Sequence, residues 1–81
     1  MRVTIRLFAR LRDLAGHGEI IRELPGPATV HTVWLSLTDE IPALRAYEQS
    51  LSVAVNAEYS RMAAAVRDGD EVAFLPPVSG G

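Results

Sequence analysis

Val3, Ile5 and Leu7 alternate with Arg2, Thr4 and Arg6, and this period of two commits the start of the chain to a strand with one apolar face. Phe8 continues the alternation on the polar side, where it is out of place. Such a face has to be covered, and the chain supplies one obvious cover. Thr29 can cap a helix whose apolar positions are Val30, Val33, Trp34, Leu37 and Ile41, the stripe of a helix lying on a sheet. Pro42 ends it, because the residue before proline is pushed out of the helical region. Trp34 reads as a core anchor of that packing.

The remaining elements fall between these two. Ala9 to Ala15 reads as a short helix, with Leu11, Leu14 and Ala15 on one side and Gly16 as its stop. Glu19 to Leu24 reads as an edge strand closed by Pro25. Leu51 to Asn56 alternates again, with Leu51, Val53 and Val55 inward, and a turn at Asn56-Ala57-Glu58 leads to a short strand around Tyr59. Asp68-Gly69-Asp70 is a turn signal before a last strand, Glu71 to Leu75, which sends Val72 and Phe74 to the core and Ala73 and Leu75 to the other face. The expected order is β-α-β-α-β-(β)-β, an α+β fold with a mixed sheet packed on one main helix. Residues 1–75 form the domain and 76–81 a projecting tail. If the first and last strands pair centrally, Phe8 and Leu75, with Ala54 and Tyr59, make a contiguous apolar patch on the uncovered face. A patch of that kind points to a partner surface.

Composition removes several functions. Eighty-one residues leave no room for a cleft between two lobes, so an obligate partner is expected. There is no cysteine, which excludes disulfides, thiolate nucleophiles, iron–sulfur clusters and cysteine zinc sites. His17, in a Gly-His-Gly turn, and His31, near a helix start, stand apart from any metal-site spacing and read as solvated. The net charge of −2 argues against nucleic-acid binding. Arg2, Arg6, Arg10 and Arg12 cluster near the start, as a solvated face or, second, as a contact for an acidic partner. No apolar run approaches the ~20 residues that span a bilayer and no signal peptide opens the chain, so a soluble cytoplasmic protein is expected. All eight basic residues are arginine, so copies of the chain cannot be joined through lysine side chains.

The chain ends Pro76-Pro77-Val78-Ser79-Gly80-Gly81, directly after a strand. At an average glycine usage of ~7%, two terminal glycines arise by chance in about 0.5% of chains, so the ending calls for a chemical reason. Gly81 would present an unhindered carboxylate, Gly80 a narrow and freely turning approach, and Pro76-Pro77 a stiff stem that limits the entropy lost on threading into a partner.

With Phe8-Ala9-Arg10-Leu11-Arg12-Asp13-Leu14-Ala15-Gly16, Val55-Asn56 and the run Asp68 to Gly81, the chain resembles the ubiquitin-like sulfur carriers of β-grasp fold. More narrowly, it resembles the small subunits of molybdopterin synthase (the MoaD type). The resemblance implies that an ATP-dependent, E1-like enzyme adenylates Gly81 and that a persulfide donor converts it to a thiocarboxylate. The tail would then enter the large subunit and give sulfur to cyclic pyranopterin monophosphate, two carriers supplying the two sulfurs of the dithiolene. It also implies a heterotetramer with two large subunits at its centre, no stably bound cofactor, ATP used only by the activating enzyme, and no catalytic groups on this chain. Phe8, Tyr59 and Leu75, with Pro76, Pro77 and Val78, would contact the partners. Arg12 is a further interface residue, for which an ion pair with Asp13 or Glu58 is the alternative. Tyr59 stands where an aliphatic residue is common in the family. Related carriers for tRNA thiolation, cysteine or thiazole synthesis, a ubiquitin-like protein modifier and a passive interaction module are the alternatives. The Ala9–Gly16 helix counts against the thiazole type.

Overall fold

The computed structural model describes residues 1–77. Strand β1, Arg2–Leu7, runs into helix α1, Ala9–Ala15, and strand β2, Glu19–Glu23. After β3, Ala28–Thr29, come the main helix α2, Val30–Glu40, and a 3₁₀ helix, Pro42–Ser50. Strands β4 (Ser52–Val55), β5 (Glu58–Ser60), β6 (Ala65–Val66) and β7 (Glu71–Leu75) complete the domain.

The main sheet has the order β2-β1-β7-β4-β5. β1 and β7 are parallel, with Thr4 opposite Glu71 and Leu7 opposite Phe74, and every other pairing in the sheet is antiparallel. The first and last strands therefore do pair at the centre, and the mixed sheet of the β-grasp is present. One face is covered. Val3, Ile5, Leu7, Val53, Val72 and Phe74 from the sheet meet Val30, Val33, Trp34 and Leu37 of α2 in a single buried core, closed by Leu11 and Leu44. The rings of Trp34 and Phe74 lie 5.0 Å apart at 49°, a tilted aromatic pair at its middle. The Trp34 indole N–H donates to Glu48 at 2.8 Å, so the buried ring keeps its polar atom satisfied.

Helix α2 starts where it does because its first amide groups all find acceptors. Thr29 and Thr32 form a reciprocal capping box, at 3.3 and 3.1 Å. The amides of Val30 and His31 donate to the carbonyls of Ala64 and Met62, both at 2.9 Å. The short β3–β6 ladder holds those carbonyls in place.

Four details differ from the sequence expectations. The chain after Pro42, given no element from the sequence, forms a 3₁₀ helix, whose three-residue period brings Leu44 and Tyr47 to one side, Leu44 buried and Tyr47 half-buried. The β3–β6 ladder is an additional small sheet. Leu51 precedes β4 and only half-buries its side chain against the core. Phe8 has left the β1 ladder: it keeps extended torsions (φ −125°, ψ 155°), but it is the residue that starts α1 and has no strand partner.

Candidate functional site

The uncovered face of the sheet is laid out in rows across the strands. The middle row runs from Glu19 through Arg6, Ala73 and Ala54 to Tyr59. The next row toward the tail holds Leu75 and Ser52. Small side chains at Ala54 and Ala73, between larger neighbours, leave an open groove of about 290 Å³ lined by Phe8, Ala54, Ala57, Tyr59, Glu71, Ala73 and Leu75. Tyr59 is 84% exposed and Phe8 39%, high values for aromatic side chains in a domain of this size. Sequence reasoning placed Phe8, Leu75, Ala54 and Tyr59 on one face, and the structure brings all four to one groove.

Phe8 is held by its neighbours. Its carbonyl accepts from the amides of Leu11 and Arg12 at the start of α1, and Ala9 turns the chain there with a positive φ of 49°. The Arg6 guanidinium lies over the ring at 5.7 Å from its centre, within cation–π range. Arg6 is itself set between Glu19 at 3.8 Å and Glu71 at 3.7 Å. Arg2 pairs with Glu23 at 3.1 Å, so half of the N-terminal arginine cluster is matched along the sheet surface. Arg10 and Arg12 make no ion pair among the described residues.

A second concavity, of about 660 Å³, opens where β7 gives way to the tail, lined by Phe8, Ala9, Arg10, Tyr47, Leu75, Pro76 and Pro77. Phe8 and Leu75 are common to both hollows, so the apolar surface continues from the sheet face to the root of the tail. Pro76 is half-buried and Pro77 exposed. Their rings fix φ, and the chain leaves the sheet along a restricted path. Arg12 lines neither hollow. Its side chain lies over Gly18, where an added Cβ would stand 3.2 Å from Arg12 Nε, and the alternative pairing with Asp13 or Glu58 is not formed. Tyr47 and Arg10 were not foreseen as lining residues. The signal available was the three-residue spacing from Leu44 to Tyr47. Val78, Gly80 and Gly81 lie outside the described residues.

The described surface offers little acid–base chemistry. Glu71 is the one carboxylate lining the sheet-face groove, and among the described residues no group of acidic and histidine side chains is placed to hold a metal. Asp70 has its carboxyl held below the usual aspartate value, first by the backbone N–H of Arg67, then by the Asn56 amide, with burial acting against them and the Arg67 charge adding a little. Its bonds, 2.8 Å from the Arg67 amide and 2.9 Å from Asn56, close the turn before β7. His17 and His31 are exposed, as expected of turn and helix-start positions. Among the described residues no helix is long and apolar enough to cross a membrane.

A profile of the ThiS family matches residues 5–81. The chain belongs to the ThiS family. Within it, the chain is similar to the molybdopterin synthase sulfur carrier subunit of Chlamydomonas reinhardtii, at 36% identity over all of both proteins. The subunit of the same name from Arabidopsis thaliana is 33% identical over 98% of this chain and 82% of that protein. The crystal structure of small archaeal modifier protein 1 from Haloferax volcanii superposes with a TM-score of 0.87 at 32% identity, all of each chain being covered. This ThiS-family chain is thus a ubiquitin-like sulfur carrier of β-grasp fold. Its two hollows converge on the residues that lead into the terminal Gly80-Gly81.

Proposed function

We propose that this ThiS-family carrier is the small, sulfur-donating subunit of a molybdopterin synthase. The observation that carries the proposal is the similarity, over 98–100% of the chain, to proteins named as that subunit, together with the Gly80-Gly81 ending. An E1-like enzyme activates the otherwise unreactive carboxylate: Gly81 attacks the α-phosphate of ATP, pyrophosphate leaves, and a glycyl adenylate forms. The terminal sulfur of a persulfide displaces AMP to give an acyl disulfide. A thiol then cleaves this to the thiocarboxylate, ending as the disulfide partner of the donor. The large subunit takes in the tail through the Phe8, Tyr59 and Leu75 face and the Pro76, Pro77 and Val78 stem, and sulfur passes to cyclic pyranopterin monophosphate. Gly81 is the chemical residue, and Gly80 is the clearance that lets it thread. The chain acts in the cytoplasm, within a heterotetramer built on two large subunits. It binds neither nucleic acid nor membrane and holds no cofactor of its own, ATP being consumed by the activating enzyme.

Intact mass spectrometry tests this. After incubation with ATP, the activating enzyme and a persulfide donor, the carrier gains the mass of one oxygen replaced by sulfur, localised to Gly81. The des-Gly81 chain folds but shows no gain. Adding the large subunit and the pterin precursor returns the carrier to its starting mass as product appears. Normal complementation by des-Gly81 in a strain lacking the carrier sinks the proposal.

The likeness to small archaeal modifier protein 1 favours one second reading, attachment of Gly81 to lysines of other proteins. Conjugates that survive reducing gels and vanish in the des-Gly81 strain are its signature.

A further inference from the structure

An activated glycine is an electrophile, and in a concentrated solution of the carrier the nucleophiles of other copies come within its reach. Attack by an amine on the acyl carbon expels AMP and leaves an amide, an irreversible loss of the carrier. We infer that this chain is built to be a non-acceptor: its surface denies its own activated terminus every amine and thiol that could capture it. The inference rests on the carrier chemistry proposed above and extends it to what the rest of the molecule must avoid.

Three observations support it. All eight basic side chains are guanidinium groups, which stay protonated and offer no lone pair, and the chain has neither lysine nor cysteine. Four of those arginines, Arg2, Arg6, Arg10 and Arg12, precede or open α1, and Arg10 lines the hollow shared with Pro76 and Pro77 at the tail root.

The second observation is the Met1 ammonium. It donates to the Leu24 carbonyl at 2.7 Å, and the Leu24 amide answers to the Met1 carbonyl at 2.8 Å. This reciprocal pair prolongs the β1–β2 ladder, and Met1 packs half-buried against the core. The amine is therefore tied to the end of the β1–β2 ladder and cannot swing freely toward another copy's terminus.

The third is position. Because β1 and β7 run parallel, with Leu7 beside Phe74, the amine and the tail root lie at opposite ends of the sheet. Six residues of strand separate the levels of Met1 and Leu7, about 20 Å at ~3.3 Å per residue. The six residues from Pro76 to Gly81 reach at most about 20 Å when fully extended, so cyclisation needs the whole tail laid straight back along the sheet. What remains is weak. Hydroxyl groups need a base to become good nucleophiles, and an acyl group taken up by the exposed imidazoles of His17 or His31 is returned by hydrolysis.

The test uses the full chain with a thioester at Gly81, made by intein cleavage, so that it does not depend on the activating enzyme. Concentrated wild-type thioester followed by intact mass spectrometry hydrolyses to the free acid, without carrier–carrier or cyclic amides. Arg10→Lys places one amine at the tail root, and amide adducts mapped to residue 10 rise by about tenfold or more over wild type through local concentration. Amide formation by the wild-type chain at Met1, or an Arg10→Lys chain as inert as wild type, overturns the inference. ATP–pyrophosphate exchange with the activating enzyme reports separately on whether Gly81 is adenylated, so the two proposals fail independently.

Discussion

The Asn56 side chain and the Asp70 carboxylate meet at 2.9 Å, joining the β4–β5 turn to the turn that launches β7. Asn56 also brackets Glu71: its side-chain oxygen accepts the Glu71 amide at 2.9 Å, and its own amide donates to the Glu71 carbonyl at 2.8 Å. One residue, through its side chain and its own backbone amide, thereby fixes the register of the strand that carries the tail.

Removing either partner loosens that register. Asn56→Ala and Asp70→Ala each lose about 1 kcal/mol, and their effects are non-additive because both break the same bond. Urea unfolding of the two single variants and the double variant measures this, and additive losses refute the coupling.

Acid weakens the same clamp. The carboxyl of Asp70 is held below its ordinary value in the folded chain, so the folded state favours the ionised form. That contribution is complete above the unfolded-state value of ~3.9 and is lost as pH falls through the folded value. The stability advantage of wild type over Asp70→Asn is present at neutral pH and shrinks below about pH 4. An advantage that stays constant through that range rules out the titration of Asp70 as its source.

Ala57 occupies the second position of the Asn56-Ala57 turn with φ 69°, where a Cβ is crowded and hairpin turns prefer glycine. Ala57→Gly raises stability by about 0.5–1 kcal/mol, after allowing for the larger unfolded-state entropy of glycine. Thermal melting at neutral pH gives the sign directly.

Burial of the Trp34 indole depends on Glu48. Glu48→Ala leaves the indole N–H without its 2.8 Å acceptor and costs about 1–2 kcal/mol, with a shift in tryptophan emission that a surface change elsewhere does not give. Chemical denaturation followed by fluorescence reads both at once.

Phe8→Glu puts a charge between the two hollows. Being 39% exposed and outside the ladder, Phe8 contributes little to the core, so folding persists while affinity for the large subunit falls by at least about tenfold. Unchanged binding by calorimetry removes the sheet face from the interface.

The parts of the fold legible in the sequence are those with a long period. The alternation in Arg2–Leu7 and Glu71–Leu75 and the Val30–Leu37 stripe predicted the three elements that enclose the core, and the face shared by Phe8, Tyr59 and Leu75 followed from them. Ala28–Thr29 and Ala65–Val66 are too short to show any period, and their role, holding acceptors for the first amides of α2, is visible only in three dimensions. The 3₁₀ helix was hidden because Leu44 and Tyr47 are its only large apolar residues on one side, a spacing shared with loops. Tyr47 at the tail root was missed for the same reason. Arg12 could be assigned from its motif but not placed, since its position over Gly18 depends on how the chain turns after α1. Gly80 and Gly81 were singled out from the chemistry of a chain end alone, and they lie outside the described residues.

The central parallel pairing has a kinetic meaning as well. The middle of the sheet joins Thr4–Leu7 to Glu71–Phe74, so the first segment to emerge during synthesis cannot complete its neighbours until the last one has been made. Contacts of such long sequence separation form late and slowly. A nascent or truncated chain without β7 has no finished core, and the groove on its uncovered face, which needs Ala73 and Leu75, does not yet exist. A partner that docks through the face proposed above would therefore meet only chains whose synthesis has already reached the stem leading to Gly80-Gly81.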